Sequence, residues 1–230
     1  MENNRKLNKR IKSTKKYIDA LQDKYSKLTV LRLDFGFKKP YSDEITLDTG
    51  NKYYNKMQNN ERSKPSLFKN LVGKIGLKEH TEKKGVHYHA LLFFDGQQVQ
   101  QDAHLGDMIG EYWNNEITQG KGSYHNCNRN KYKYKGVGML NHTDTEKREI
   151  LDKYVASYIY KDDEGQDIKA EKSNENDRAF TRGTMPKSKS NAGRPRNNWV
   201  LNRIIIYTNI SKILKYQYLK FEIFLKDVLN

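Results

Sequence analysis

Apolar and polar positions follow two rhythms along this chain, and the rhythms divide it into elements. From Leu28 to Phe37 the period is two. Leu31, Leu33, Phe35 and Phe37 share one face, while Val30, Arg32 and Asp34 share the other. That alternation predicts a half-buried strand with two charges on its non-core face. Lys74 to Leu77 begins a second strand and Val86 to Phe94 forms a third, with Asp95-Gly96 turning the chain after it. Elsewhere the spacing is helical. Ile11, Ile18, Leu21 and Tyr25 mark a basic helix over 5–27, and Leu105, Met108, Ile109 and Trp113 mark another over about 102–116. Pro65 suits the first turn of a short helix. Thr143-Asp144-Thr145-Glu146 is an N-terminal capping signal for a helix running to about Lys161. Val137 to Leu140 reads as a short strand. Residues 38–60 read as polar and irregular, 119–136 as a loop or long hairpin, and 162–196 as unpatterned. Trp199 to Leu229 is helical again.

Composition narrows the classes. With 230 residues, one domain plus extensions is the expectation. Mean hydropathy is −1.01, yet 16 Tyr, 8 Phe and 2 Trp supply aromatic volume for a modest core. A single cysteine, Cys127, excludes a disulfide scaffold and an all-cysteine zinc site. Apolar runs are too short to span a membrane, and the first residues lack the apolar stretch of a secretion signal, so a cytoplasmic location is expected. The net charge is +15. Residues 1–28 hold nine basic residues against three acids, 119–136 hold five and none, and 182–203 hold six and none. The excess is therefore concentrated, as contact with phosphates requires.

The chemistry begins in the third strand. His87 and His89 point to one face of it and Tyr88 to the other. A hairpin loop of Lys83-Lys84-Gly85, with glycine in the left-handed position, would set Glu82 against Val86, Thr81 against His87 and Glu79 against His89. Glu79 then joins the histidine face, and two imidazoles with one carboxylate make a facial ligand set for Mg²⁺ or Mn²⁺. A two-residue loop would offer His80 and Glu82 instead. Further on, Tyr154 and Tyr158 stand four residues apart on the capped helix, and Lys161 lies three beyond Tyr158. A phenol beside a metal-bound phosphodiester is a nucleophile that can form a covalent phosphotyrosine.

Glu79 through His89, followed by Tyr154 through Lys161, resembles the HUH endonuclease superfamily, and within it the two-tyrosine replication initiators. Gly85 to Lys161 is most similar to the inovirus (filamentous phage) gene-2-type replication proteins and a related prophage domain family. Tyr88 departs from the family's preference for an aliphatic residue between the histidines. The resemblance covers roughly 28–196. It implies an α+β fold: an antiparallel sheet of about five strands, the histidines on a central strand, and helices on one side. It also implies strand-specific nicking that leaves a 5′-phosphotyrosine and a free 3′-OH. Tyr158, Tyr154 and Lys161 become the expected catalytic residues, and Glu79, His87 and His89 the metal ligands.

The parts then read as a basic N-terminal helix (1–27), a nickase domain (28–165), a basic flexible segment (166–198) and an apolar C-terminal helix (199–230). The expected activity is initiation of rolling-circle replication of a phage, plasmid or similar element. The alternatives are the same chemistry serving transposition, conjugation or attack on a competitor genome, and a basic DNA-binding protein without catalysis. The expected DNA partner is single-stranded or an origin hairpin. Arg32, Arg129, Lys131, Lys133 and Lys135 are candidate contacts, Tyr124, Tyr132 and Tyr134 interleaving with the lysines as stacking partners. Arg194 and Arg196 belong to an Ala192-Gly193-Arg194-Pro195-Arg196 stretch that resembles an AT-hook. There is no P-loop, so a host helicase would unwind and a host polymerase would extend. The C-terminal helix is expected to dock on the domain or to pair with another copy.

Overall fold

A computed structural model describes residues 2–160 and 178–187. Among these residues six strands form one antiparallel sheet: β1 Lys27–Phe37, β2 Leu71–Thr81, β3 Gly85–Asp95, β4 Gly122–Asn126, β5 Gly138–Asn141 and β6 Phe180–Arg182. Their order is β4-β1-β3-β2-β6, and β5 shares with β4 the outer edge of β1. Three helices link β1 to β2: α2 Tyr41–Glu44, α3 Leu47–Asn59 and α4 Pro65–Phe68. Between β3 and β4, α5 (Asp102–Glu111) continues as a π-helical turn over Tyr112–Ile117. A β-α-β-β-α-β succession with this strand order is the split βαβ arrangement of ferredoxin-like folds.

The α+β class, the antiparallel sheet and the central position of the histidine strand are as expected. The helices, however, cover both faces and not one. Leu31, Leu33, Phe35 and Phe37 of β1 and Val86, Tyr88, Ala90, Leu92 and Phe94 of β3 meet Met57, Ile109, Tyr112 and Trp113 on one side. On the other side Leu28, Val30, Ile75, Leu77, Leu91 and Phe93 lie under two further helical elements. One is α1 (Glu2–Lys24), through Tyr17, Ile18 and Leu21. The other is α6 (Thr145–Ile150), a π-helical turn (Leu151–Ala156) and α7 (Ser157–Tyr160), through Leu151, Val155, Ala156 and Ile159. The physical reason lies in β3. Ten of its eleven residues are buried, and a strand apolar on both faces needs two layers of cover. For the same reason β1 is not half-exposed: Leu28 and Val30, on its supposed open face, are fully buried.

Several boundaries also move. Residues 47–59, read as irregular, form α3. Thr46 caps it, its side chain accepting from Thr49 N–H, and only Leu47, Gly50 and Met57 of the helix are buried. With so few core residues the helical rhythm is faint. β2 starts at Leu71, with a register slip between Leu71 and Gly73. The basic stretch 119–136 includes β4. The capping signal at Asp144 is realised, since its carboxylate accepts from Lys147 N–H at 3.2 Å. Lys161, Arg194, Arg196, the C-terminal helix and most of 166–198 lie outside the described residues. Among the described residues no helix is long and apolar enough to cross a membrane.

Candidate metal centre

The β2–β3 hairpin builds the centre. Its register sets Glu79 opposite His87, His80 opposite Val86 and Leu77 opposite His89. This differs by two residues from the expected pairing of Glu79 with His89. An even shift leaves every side chain on its face, so Glu79 still joins both histidines. The slip comes from Gly85. It adopts φ +63° as the first residue of β3, paired with Thr81, and the turn is Glu82 to Lys84. A Cβ at Gly85 would also stand 2.6 Å from Ser42 O, so no other residue fits there. His80 falls on the opposite face and Glu82 in the exposed turn. Neither joins the group.

Oε2 of Glu79 lies 3.0 Å from Nε2 of His87 and 3.0 Å from Nε2 of His89. The imidazoles stand perpendicular, 5.2 Å apart. All three side chains are buried, and their ligand atoms lie within 4.8 Å of one another. Each ring is anchored from behind. Nδ1 of His87 donates to Gly85 O at 3.0 Å, and Nδ1 of His89 donates to Asp34 Oδ1 at 2.6 Å. Anchoring Nδ1 in this way turns Nε2 toward the carboxylate, which is the orientation metal ligation uses. Two imidazoles and a carboxylate, each ring held by a further oxygen, fit a divalent ion. The donor set alone does not choose between ions.

The electrostatics match this geometry. Burial raises the Glu79 carboxyl, but hydrogen bonds and charge from His87 and His89 override it and bring it down to about 2. Burial disfavours a charged His89, yet Asp34 and Glu79 hold it up to about 9. Asp34 is pulled below the usual carboxylate range, against its burial, by His89 and then by Arg32. The Arg32 Nε lies 3.7 Å from Asp34 Oδ1, placing a cation at the margin of the centre. Behind Asp34, the buried Cys127 thiol donates to Oδ2 at 3.7 Å. Burial and the Asp34 charge push that thiol up to about 11, so it remains a neutral thiol.

Asp34 is the member that sequence reasoning missed. Its placement opposite His89 depends on β1 pairing with β3, across 55 residues of sequence. In the sequence it read as one of two charges on a solvated strand face, so no local signal marked it.

The tyrosine helix lies on the histidine face. Val155 and Ile159 share a core with Leu77 and Leu91, and α7 packs against β2. Tyr158 belongs to α7, but its side chain is outside the described set, as is all of Lys161. Tyr154 is exposed, and its ring stacks on Tyr134 at 4.9 Å and 7°. The π-helical turn was not expected; it interrupts the regular α-helix on which the i,i+4 spacing was read. In the basic segment Lys131, Lys133 and Lys135 are exposed. Arg129 is committed to Asp107, with Nε 2.8 Å from Oδ2. Tyr124 is used within the fold, its hydroxyl donating to Glu111 at 2.9 Å.

These features define an α+β protein with a split βαβ sheet and a buried carboxylate–bis-histidine group able to hold a metal ion. The chain belongs to the YagK/YfjJ C-terminal domain family, whose match covers residues 1–183. No curated protein and no solved structure matches it.

Proposed function

We propose that this chain is a divalent-metal-dependent DNA nicking and joining enzyme of the HUH type, serving replication initiation of a mobile element. The observation that carries this reading is the convergence of Glu79, His87 and His89 on the sheet face that also bears the tyrosine helix. The finer kinship, with the inovirus gene-2-type replication proteins, rests on the His-Tyr-His and Tyr-x-x-x-Tyr-x-x-Lys motifs.

Held by Glu79, His87 and His89, Mg²⁺ or Mn²⁺ would neutralise and polarise the scissile phosphodiester. The protein's own groups do the rest. Asp34 and the Gly85 carbonyl keep the imidazoles in their ligating tautomer. Arg32 adds a fixed positive charge beside the centre. The Tyr158 hydroxyl loses its proton, and its oxygen bonds to phosphorus as the P–O3′ bond breaks. The departing 3′ oxygen takes up a proton and becomes a free 3′-OH, while the 5′ side remains as phosphotyrosine. A phenol has an unperturbed pKa of about 10, so Lys161, three residues on, is assigned to favour the phenolate. Tyr154 would accept the second, terminating transfer.

The test is incubation of the full chain with Mn²⁺ and mixed-sequence single strands, followed by denaturing electrophoresis. A protein–DNA adduct is expected. It should be absent in excess EDTA and in Tyr158→Phe, His87→Ala and His89→Ala, all of which should still bind DNA. An adduct that persists in EDTA or in Tyr158→Phe would overturn the reading. Strand binding without an adduct at any metal concentration would leave a DNA-binding protein without catalysis.

A further inference from the structure

Among the described residues, two tyrosine pairs stack with nearly parallel rings. Tyr54 and Tyr88 lie 4.3 Å apart at 4°, and this pair serves the core, with Tyr88 only 1% exposed. Tyr134 and Tyr154 have the same geometry, 4.9 Å and 7°, yet stand 46% and 44% exposed. Nearly half of each residue stays in water, so burial explains the second pair only in part. Each of its rings also carries a cation. The Lys133 ammonium lies 5.5 Å from the centroid of Tyr134, and that of Lys153 lies 5.2 Å from the centroid of Tyr154.

The chain brings this pair together deliberately. The segment that carries Tyr134 starts at Cys127, against Asp34 of the metal centre. It ends at Gly136, where a Cβ would stand 2.8 Å from the backbone of Leu151. Only a residue without a side chain lets it lie that close to the π-helical turn that carries Tyr154. The segment thus runs from the metal centre to the tyrosine helix, with Lys131, Lys133 and Lys135 exposed along it.

We propose that Tyr134 and Tyr154 form a stacking platform for an unpaired base of single-stranded DNA. On binding, the Lys133 and Lys153 ammonium groups yield the outer ring face to the base and take the phosphates on either side of it. Aromatic faces accept any base, and ammonium groups follow the backbone, a combination suited to single strands. A duplex keeps its bases stacked inside and gains only the phosphate contacts. In this arrangement the ring of Tyr154 binds the strand and its hydroxyl is a separate chemical resource. The platform rests on the DNA reading above, but it requires neither metal nor nicking.

Binding is therefore measured on the full chain in EDTA, by fluorescence anisotropy with a labelled single strand of about 12 nucleotides, within the span such grooves cover. A blunt duplex of the same sequence is the comparison. Tyr134→Ala should weaken single-strand binding about five-fold or more. Duplex binding should stay unchanged, and Tyr134→Phe, which keeps the ring, should match the parent. Tyr154→Phe should likewise keep strand affinity while Tyr154→Ala loses it. Equal weakening of single strand and duplex by Tyr134→Ala, or no weakening of either, would overturn the platform. So would a Tyr134→Phe that behaves as Tyr134→Ala. Thermal unfolding of each variant shows whether it is folded, and Tyr134→Leu, apolar but without a ring, should bind as weakly as Tyr134→Ala. Failure of the nickase reading looks different: the platform differences persist in EDTA while no adduct forms with Mn²⁺.

Discussion

Asp34 does for His89 what the carbonyl of Gly85 does for His87, but it does so with a full charge. Removing it frees the ring and strips the charge that makes Nε2 basic. Loss of such an outer partner typically costs 10–100-fold in metal affinity, so Asp34→Ala should weaken Mn²⁺ binding by about that factor in a calorimetric titration. An unchanged affinity would show that Asp34 has no part in orienting the ligand. The same network sets a pH profile for the metal-free protein. His89 is raised to about 9, so its contribution to stability is complete below its unfolded value of about 6.5 and is lost as pH climbs through 9. Glu79 is lowered to about 2 from 4.5, so its contribution is present above 4.5 and is lost as pH falls toward 2. In chelator, the denaturant midpoint should therefore decline on both sides of the window between about 4.5 and 6.5. With Mn²⁺ present the alkaline decline should shrink, because the ion takes the place of the proton on His89 and binds better as that proton leaves. Parallel declines with and without Mn²⁺ would argue against ligation by His89.

At the scale of elements, the hairpin shows how a pattern can place a site while misplacing its register. Period-two alternation assigns faces, and faces survive an even slip, so His87 and His89 were legible from their spacing, while Glu79 rather than His80 or Glu82 followed only from an odd-length loop. Which residue opposes which depended on where glycine takes its left-handed turn, and Gly85 does so at the start of β3, where a side chain would meet the distant Ser42. The long elements, α1, β1, β3 and α5, were legible because their apolar positions recur. α3 was not, because aromatic contacts from Tyr53 and Tyr54 replace an aliphatic stripe. The second helical layer was hidden for another reason. Leu28 and Val30 share a face with Arg32 and Asp34, and two charges made that whole face look solvated. The π-helical turn at Leu151–Ala156 left no mark that periodicity could detect. It does create a tight seam with Gly136, which is directly testable. Gly136→Val must push the segment off Leu151, at a cost of about 1–3 kcal/mol typical of overpacking. Urea denaturation should register that loss. Single-strand binding should fall with it, because Tyr134 can no longer reach Tyr154. Full stability in Gly136→Val would mean that the seam is not close-packed.

On the scale of the molecule, the sheet divides the protein into two unequal halves. One face is occupied by the crossover helices and an aromatic core built on Trp113, and it positions the strands. The other collects the metal-ligating group, the tyrosine helix and the exposed basic segment. A net charge of +15 spread evenly would give weak, featureless attraction to any polyanion. The five basic residues of 119–136, with no acid among them, are a local excess, and under the proposed function that excess would guide a strand toward the centre. That distinction is measurable in the salt dependence of binding. Each phosphate contact to a single strand contributes about 0.7 to the slope of log affinity against log salt. Replacing Lys131, Lys133 and Lys135 by Gln together should therefore flatten the slope by about 2, with the remainder carried by other basic residues. Arg129 serves as an internal control, because its guanidinium is already held by Asp107. Arg129→Gln should leave the slope nearly unchanged. A triple variant with the parent slope would remove the basic segment from the strand path. If Arg129→Gln flattened the slope as much as the triple variant, the ion pair with Asp107 would have to open on binding, and the path would run nearer α5 than the tyrosine helix.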